Sequence, residues 1–260
     1  MIQFSLNRFG KLAHWTLIND KRYYVKSFLQ MLVIFTLGFL FFTTATVKWN
    51  NQSANYVLCD IVTVATFAFA IVMGSSYMFY SMDGKHDMQT LLMLPASNLE
   101  KYLMRYSTWI ILLPLYVVAF LAADVFQYVA NTLLGQEETV LVVQHVTDSL
   151  AKSYGNTTCS TYLSMVLIFG WVHSLYALGA TFFRWRKYNW VCTTTLLIVL
   201  GILLFSIFTG DRISGSIDMD TAIVLRNVSA VVCLFMIALN FWLSYRIFCR
   251  TQLVGRFVNL

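Results

Sequence analysis

The chain has 260 residues, of which 58% are hydrophobic and only 12% charged, with a net charge of +6 and a mean hydropathy of +0.67. A water-soluble domain of this length needs far more polar surface to cover its core, so the composition excludes that class. The basic excess calls for no nucleic acid, because no polar segment carries a basic-aromatic stripe.

The first element is amphipathic. Ile2, Leu6, Phe9, Ala13 and Leu17 recur at steps of three and four, while Arg8, Lys11 and His14 fall largely off that stripe. This spacing predicts an interfacial helix with its basic face toward lipid headgroups, either a simple anchor or an elbow that transmits force. Asn19–Asp20 breaks it, and Lys21–Arg22 anchors the first membrane span.

Six apolar runs come next, each near the ~20 residues that cross a bilayer as a helix. They cover roughly 28–47, 58–80, 107–130, 162–183, 188–209 and 222–248. The expected fold is therefore an all-α integral membrane protein with six transmembrane helices. It forms a single transmembrane domain over 1–260: an interfacial segment (1–26), a six-span bundle (27–248) and a tail (249–260). With six spans both termini share a side, and that side collects 14 of the 18 Lys and Arg residues. The positive-inside rule makes it the cytoplasm, which implies a multi-pass protein of the cell inner membrane.

Polar residues inside the spans are few. Thr36, Thr43, Thr44, Thr63, Thr66, Ser75 and Ser76 cluster in the first two. They line a route for an amphiphilic substrate or form helix–helix hydrogen bonds. Asp124 lies about 9 Å from the outer end of the third span, at 1.5 Å per residue. It lines a polar cavity, snorkels, or pairs with Arg226. His173, inside the fourth span, is a functional group or a neutral histidine bonded to a neighbouring helix. Cys59 and Cys159 both fall near the outer face, as a disulfide between the second and fourth spans or as two unpaired small residues.

Outside the membrane, residues 131–161 form the longest outer loop. Val142, Val143, Val146 and Leu150 share one helical face there, which predicts a short helix that lies on the outer surface or contacts a second subunit. Asn51-Gln-Ser53 and Asn156-Thr-Thr158 are glycosylation sequons that matter only in a eukaryote.

The loop between the second and third spans is the richest segment. Asp83–Gly84 signals a turn, and His86 to Leu94 then reads as a short helix carrying Leu91, Leu92 and Leu94. Pro95 stops it, because proline lacks the N–H and biases its predecessor away from helix. Ser97-Asn-Leu-Glu100 is a capping box, so a new helix starts there. It runs unbroken to about Asn131, some 50 Å, far more than the bilayer needs. A leucine-studded knob below the membrane either lies on lipid or docks a cytosolic protein.

Catalytic signatures are absent. No two of the twelve glycines stand two or four apart, which removes G-x-G-x-x-G, G-x-S-x-G and G-x-x-x-G together. Gly210 and Gly215 have P-loop spacing, but Ser216 stands where the lysine belongs. The histidines and cysteines are scattered, with no metal-ligand spacing. The expectation is a protein that is not itself an enzyme and holds no cofactor.

With LLMLPASNLEKYLMRY between its second and third spans, an interfacial N-terminal helix and six spans, the chain resembles the permease subunits of ABC-2 type ABC transporters. In that family L-P-small-S, here Leu94, Pro95, Ala96 and Ser97, leads into a long third span. The preceding short helix is the coupling helix, which fits a cleft in a separate ATP-binding subunit. The resemblance implies that His86, Asp87, Gln89, Leu91, Leu92, Leu94, Pro95 and Ser97 contact that subunit, with Lys101 and Arg105 as a basic shoulder. It implies ATP and Mg bound by the partner, and a second permease copy or paralogue in the assembly. It also implies a substrate path including Thr36, Thr43, Thr63, Thr66, Asp124 and His173. The chain departs from the family between spans five and six: residues 210–221 are short where many members carry re-entrant helices. The rival expectations are a non-transport membrane scaffold or assembly protein and a membrane-embedded enzyme using His173 and Asp124.

Overall fold

The computed structural model describes residues 4–45, 47, 54–79, 89–91, 93–136, 139–154, 159–183, 189–210 and 219–250, without the side chains of 153, 154, 159–161, 200, 202–210 and 219–226. Every regular element among them is helical. In chain order these are α1 (Leu6–Asn19), α2 (Lys21–Leu40), α3 (Tyr56–Met73), α4 (Asn98–Leu133), α5 (Val142–Tyr154), α6 (Cys159–Phe182), α7 (Asn189–Gly210) and α8 (Met219–Cys249). A π-helical turn, Phe41–Ala45, extends α2, and a 3₁₀ turn, Gly74–Phe79, extends α3.

Five stretches are long and apolar enough to cross a membrane: Lys21–Ala45, Tyr56–Phe79, Asn98–Leu133, Tyr162–Phe182 and Asn227–Cys249. All-helical over its described residues, the chain is a multi-pass membrane protein. The expected fifth span is helical over Asn189–Gly210, and its described apolar part, Asn189–Val199, is shorter than a span.

The breaks follow local chemistry. Asn19–Asp20 separates α1 from α2, as the sequence predicts. Gly135 closes α4 with φ +71°, a left-handed value that costs glycine little. The buried side of α1 carries Leu12 and Thr16, whereas Leu6 and Leu17 of the expected apolar stripe are exposed. At about 100° per residue those two lie together on the helical wheel, between the buried Thr16 and the exposed His14.

The chain packs as two compact units, one of Met1–Gly10, Val72–Tyr106 and Ser160–Leu260, the other of Lys11–Ile71 and Ser107–Cys159. Lipid tails are as apolar as leucine, so helices in a membrane associate through close packing and hydrogen bonds. The second unit has an aromatic layer at its centre. Phe35, Phe39, Cys59, Phe120, Ala123, Val142 and Val146 form its core. The Phe35–Phe120 and Phe39–Phe120 rings meet edge to face at 5.7 and 5.9 Å, a favourable aromatic geometry.

The first unit uses hydrogen bonds. Asn240 Nδ2 donates to Ser174 Oγ at 2.9 Å and Ser244 Oγ to the Ala177 carbonyl at 3.1 Å, which ties α8 to α6. The Tyr102 hydroxyl donates to Ser244 Oγ at 3.0 Å and adds the base of α4. Asn189 Nδ2 donates to the Ser76 carbonyl at 3.1 Å, joining α7 to the 3₁₀ turn.

Helices α6 and α7 meet at Gly179. A Cβ built there would lie 2.9 Å from Thr193 Cβ and closer still to its hydroxyl. Thr193 is β-branched, and its hydroxyl donates to the Asn189 carbonyl at 3.0 Å, so it cannot swing away freely. Gly179→Ala is expected to destabilise the protein by about 1–3 kcal/mol through overpacking, with part of the loss recovered by adding Thr193→Ala. Thermal unfolding in detergent checks this; equal melting of wild type and Gly179→Ala would contradict the close approach.

Candidate docking segment and ionic junction

Residues 80–88 and 92 lie outside the described residues, so His86, Asp87 and Leu92 do too. Gln89, Thr90, Leu91 and Met93 are helical, and the Leu94 N–H donates to the Thr90 carbonyl at 3.2 Å. The chain then bends through Leu94, Pro95 and Ala96, where proline removes the next donor.

Leu91 corrects an expectation. Its side chain is fully buried within the chain, so it is a core residue and presents nothing to a partner. Among the described residues of the segment the exposed large apolar side chain is Met93, 80% accessible, with Thr90 and Pro95 exposed beside it. Leu94, Gln89 and Ser97 are half-buried.

The capping box forms as the sequence predicts. The Glu100 N–H donates to Ser97 Oγ at 3.2 Å, and the Ser97 N–H donates back to Glu100 Oε2 at 2.8 Å. From there α4 runs 36 residues, or about 54 Å, with Pro114 inside it.

Glu100 does more than cap. Its buried carboxylate also accepts the Ser5 N–H at 2.7 Å, Arg8 Nε at 2.9 Å and Arg8 Nη2 at 2.8 Å. The Arg8 pair is bidentate, the geometry in which guanidinium and carboxylate match best. Hydrogen bonding to Glu100 raises the pKa of Arg8 above its ordinary value. One carboxylate therefore binds the first turns of α1 and α4 together. Lys101 and Arg105, the expected basic shoulder, are both buried.

The residues of the expected substrate path are placed individually. Thr43 and Thr63 are buried and donate to carbonyls one turn back, Phe39 at 2.7 Å and Cys59 at 2.8 Å. Thr36 and Thr66 are half-buried. His173 is buried, and its Nε2 lies 2.8 Å from the Tyr106 hydroxyl, the bond to a neighbouring helix that was one of its two readings.

Asp124 requires a correction. Both carboxylate oxygens are spent on the N-terminus of α5: Oδ1 accepts the Val142 N–H at 2.7 Å and Oδ2 the Val143 N–H at 3.0 Å. Fully engaged and buried, Asp124 neither snorkels nor lines a cavity. The Arg226 side chain lies outside the described residues. Cys59 is a free thiol buried in the aromatic core, so it is not held in a disulfide; the Cys159 side chain is not described.

Sequence reasoning passed over Asp60, although an acidic residue inside an apolar run is itself a signal. Asp60 Oδ2 lies 2.6 Å from His145 Nδ1 and accepts the Ser149 hydroxyl at 2.7 Å. The serine is bonded to the carboxylate and not to the imidazole, so this trio lacks the nucleophile-to-base contact of a hydrolytic relay. It is a second clamp on α5. The predicted surface helix is thus pinned at its start by Asp124 and along its underside by Asp60. Among the described residues no group of three or more His, Cys, Asp or Glu side chains is placed to hold a metal ion.

No protein-family model, curated protein or solved structure matches this chain.

Proposed function

We propose that the chain is the membrane-spanning permease subunit of an ABC-2 type transporter, moving an amphiphilic substrate with energy from a separate ATP-binding subunit. In this reading it has six spans and lies in the cell inner membrane with both termini cytoplasmic. It pairs with a second permease copy or paralogue, and the helix ending at Leu94 is the coupling helix. ATP and Mg are bound by the partner.

The observation that supports this most is the Glu100 junction. A short helix ends hard at Pro95, and two residues later Ser97 and Glu100 start a helix about 54 Å long. The same carboxylate grips α1 through Ser5 and Arg8. A push on Gln89–Met93 would therefore reach α4 and α1 at one point rather than dissipate in a loop. Met93, exposed on that helix, is the anchor of the contact, since methionine adapts its shape to an irregular cleft.

Purification of the tagged chain from its native membrane tests the proposal. An ATP-hydrolysing subunit is expected to accompany the wild type, and Met93→Asp is expected to release it without altering the melting of the permease. Leu91→Asp, by contrast, should unfold the segment, because it buries a charge without a partner. An intact complex after Met93→Asp would remove the coupling assignment. A wild-type chain that never brings down an ATPase would favour the scaffold reading.

A further inference from the structure

The second unit holds a polar layer that the proposed coupling does not use. The π-helical turn Phe41–Ala45 inserts an extra residue into α2, and such turns often mark functional positions. Thr43 sits at its centre, fully buried. The Thr43 hydroxyl accepts Asn131 Nδ2 at 3.0 Å, and its carbonyl accepts Gln136 Nε2 at 3.3 Å. Thr44 Oγ1 bonds to Asn131 Oδ1.

Gln127 lies one turn before Asn131 on the same face of α4, and two turns after Phe120. It is therefore set between the Phe39–Phe120 ring contact and the Thr43–Asn131 hydrogen bond, both of which join α2 to α4. Gln127 is 0% exposed, yet neither its Nε2 nor its Oε1 has a partner among the described residues. The buried Oε1 of Gln136, on the far side of Thr43's hydrogen bonds, is likewise without one. Orphaned amides in an apolar span cost several kcal/mol each, and native membrane proteins rarely keep them.

We propose that Gln127 binds a hydroxyl group at a buried site between α4 and the π-helical turn of α2. A primary amide offers two donors and one acceptor side by side. A hydroxyl both donates and accepts, and so answers both halves. A cation would meet the amide N–H groups, and an anion would meet the amide oxygen, so the neutral group fits best. The hydroxyl belongs either to a bound water or to an alcohol group of an amphiphilic molecule. The site stands independently of the permease reading, since it needs neither the ATPase nor Met93.

Radiolytic hydroxyl footprinting of the purified full chain, with native mass spectrometry of the same preparation, decides between these sources. A bound water labels the rings it touches even where bulk solvent does not reach. Phe39 and Phe120 are then expected to oxidise on the order of tenfold faster than Phe35, a buried core ring one turn of α2 further from the site, and Gln127→Met should abolish the difference. An alcohol instead gives a retained adduct mass in wild type that is absent from Gln127→Met. If Phe39 and Phe120 label no faster than Phe35 and no adduct is retained, the proposal is overturned. Both wild-type measurements decide this even if Gln127→Met fails to fold.

Discussion

Asp124→Ala is expected to detach α5. The substitution leaves the Val142 and Val143 N–H groups without acceptors at a buried helix start, where each carboxylate oxygen takes one of them. Losing both should cost about 2–4 kcal/mol, more than an exposed cap because water cannot substitute. The loss spreads further. Val142 and Val146 belong to the aromatic core, and Leu150 packs against it, so a loosened α5 uncovers that layer. Asp124→Asn keeps one acceptor oxygen and should recover roughly half the loss. Thermal melting and amide exchange across 142–154 report the effect. Unchanged exchange at Val142 and Val143 in Asp124→Ala would show that the carboxylate does not hold α5.

The second large effect is expected at Glu100. Glu100→Ala removes acceptors from Ser5, Ser97 and Arg8 at once. The first turn of α1 should then exchange its amides on the order of tenfold faster, a local opening rather than global unfolding. Arg8→Lys should fall between wild type and Arg8→Ala, because an ammonium cannot make the two parallel bonds of a guanidinium. Within the proposed function the same variants separate structure from coupling. Glu100→Ala should leave the ATPase bound through Met93 and yet reduce transport per ATP hydrolysed. If transport stays tightly coupled with the junction broken, α1 plays no part in transmission.

The placement of the helices was legible because their signals are local. Apolar runs of spanning length located α3, α6 and α8 to within a few residues and found α2 with its start about seven residues late, while the early start of α4 was given by the capping box. Asn19–Asp20, Pro95 and Ser97-x-x-Glu100 act on the backbone within one turn, and each took effect where it stands. The surface helix at Val142–Tyr154 was also readable, since it alternates apolar and polar faces as a soluble helix does.

Helix faces were far less legible. A membrane span is apolar toward lipid and apolar toward its neighbours, so composition does not say which side packs inward. Outside the spans the same difficulty arose: Leu91 was expected to face a partner and is buried, while Met93, which the sequence reading passed over, is exposed. In α1 the apolar stripe was drawn through Leu6 and Leu17, whereas the buried residues are Leu12 and Thr16.

By itself the sequence determined the class, the sites of the helices, their stops and the capping box below α4, because each depends on composition or on contacts within four residues. Only the tertiary structure decided what the polar groups do. Glu100 meets Arg8 across 92 positions, Asp60 meets His145 across 85, and Asp124 meets α5 across 18. Pairings at such separations depend on how helices are rotated and stacked. In an apolar medium hydrogen bonds and close packing choose that rotation, and no hydrophobic stripe announces it.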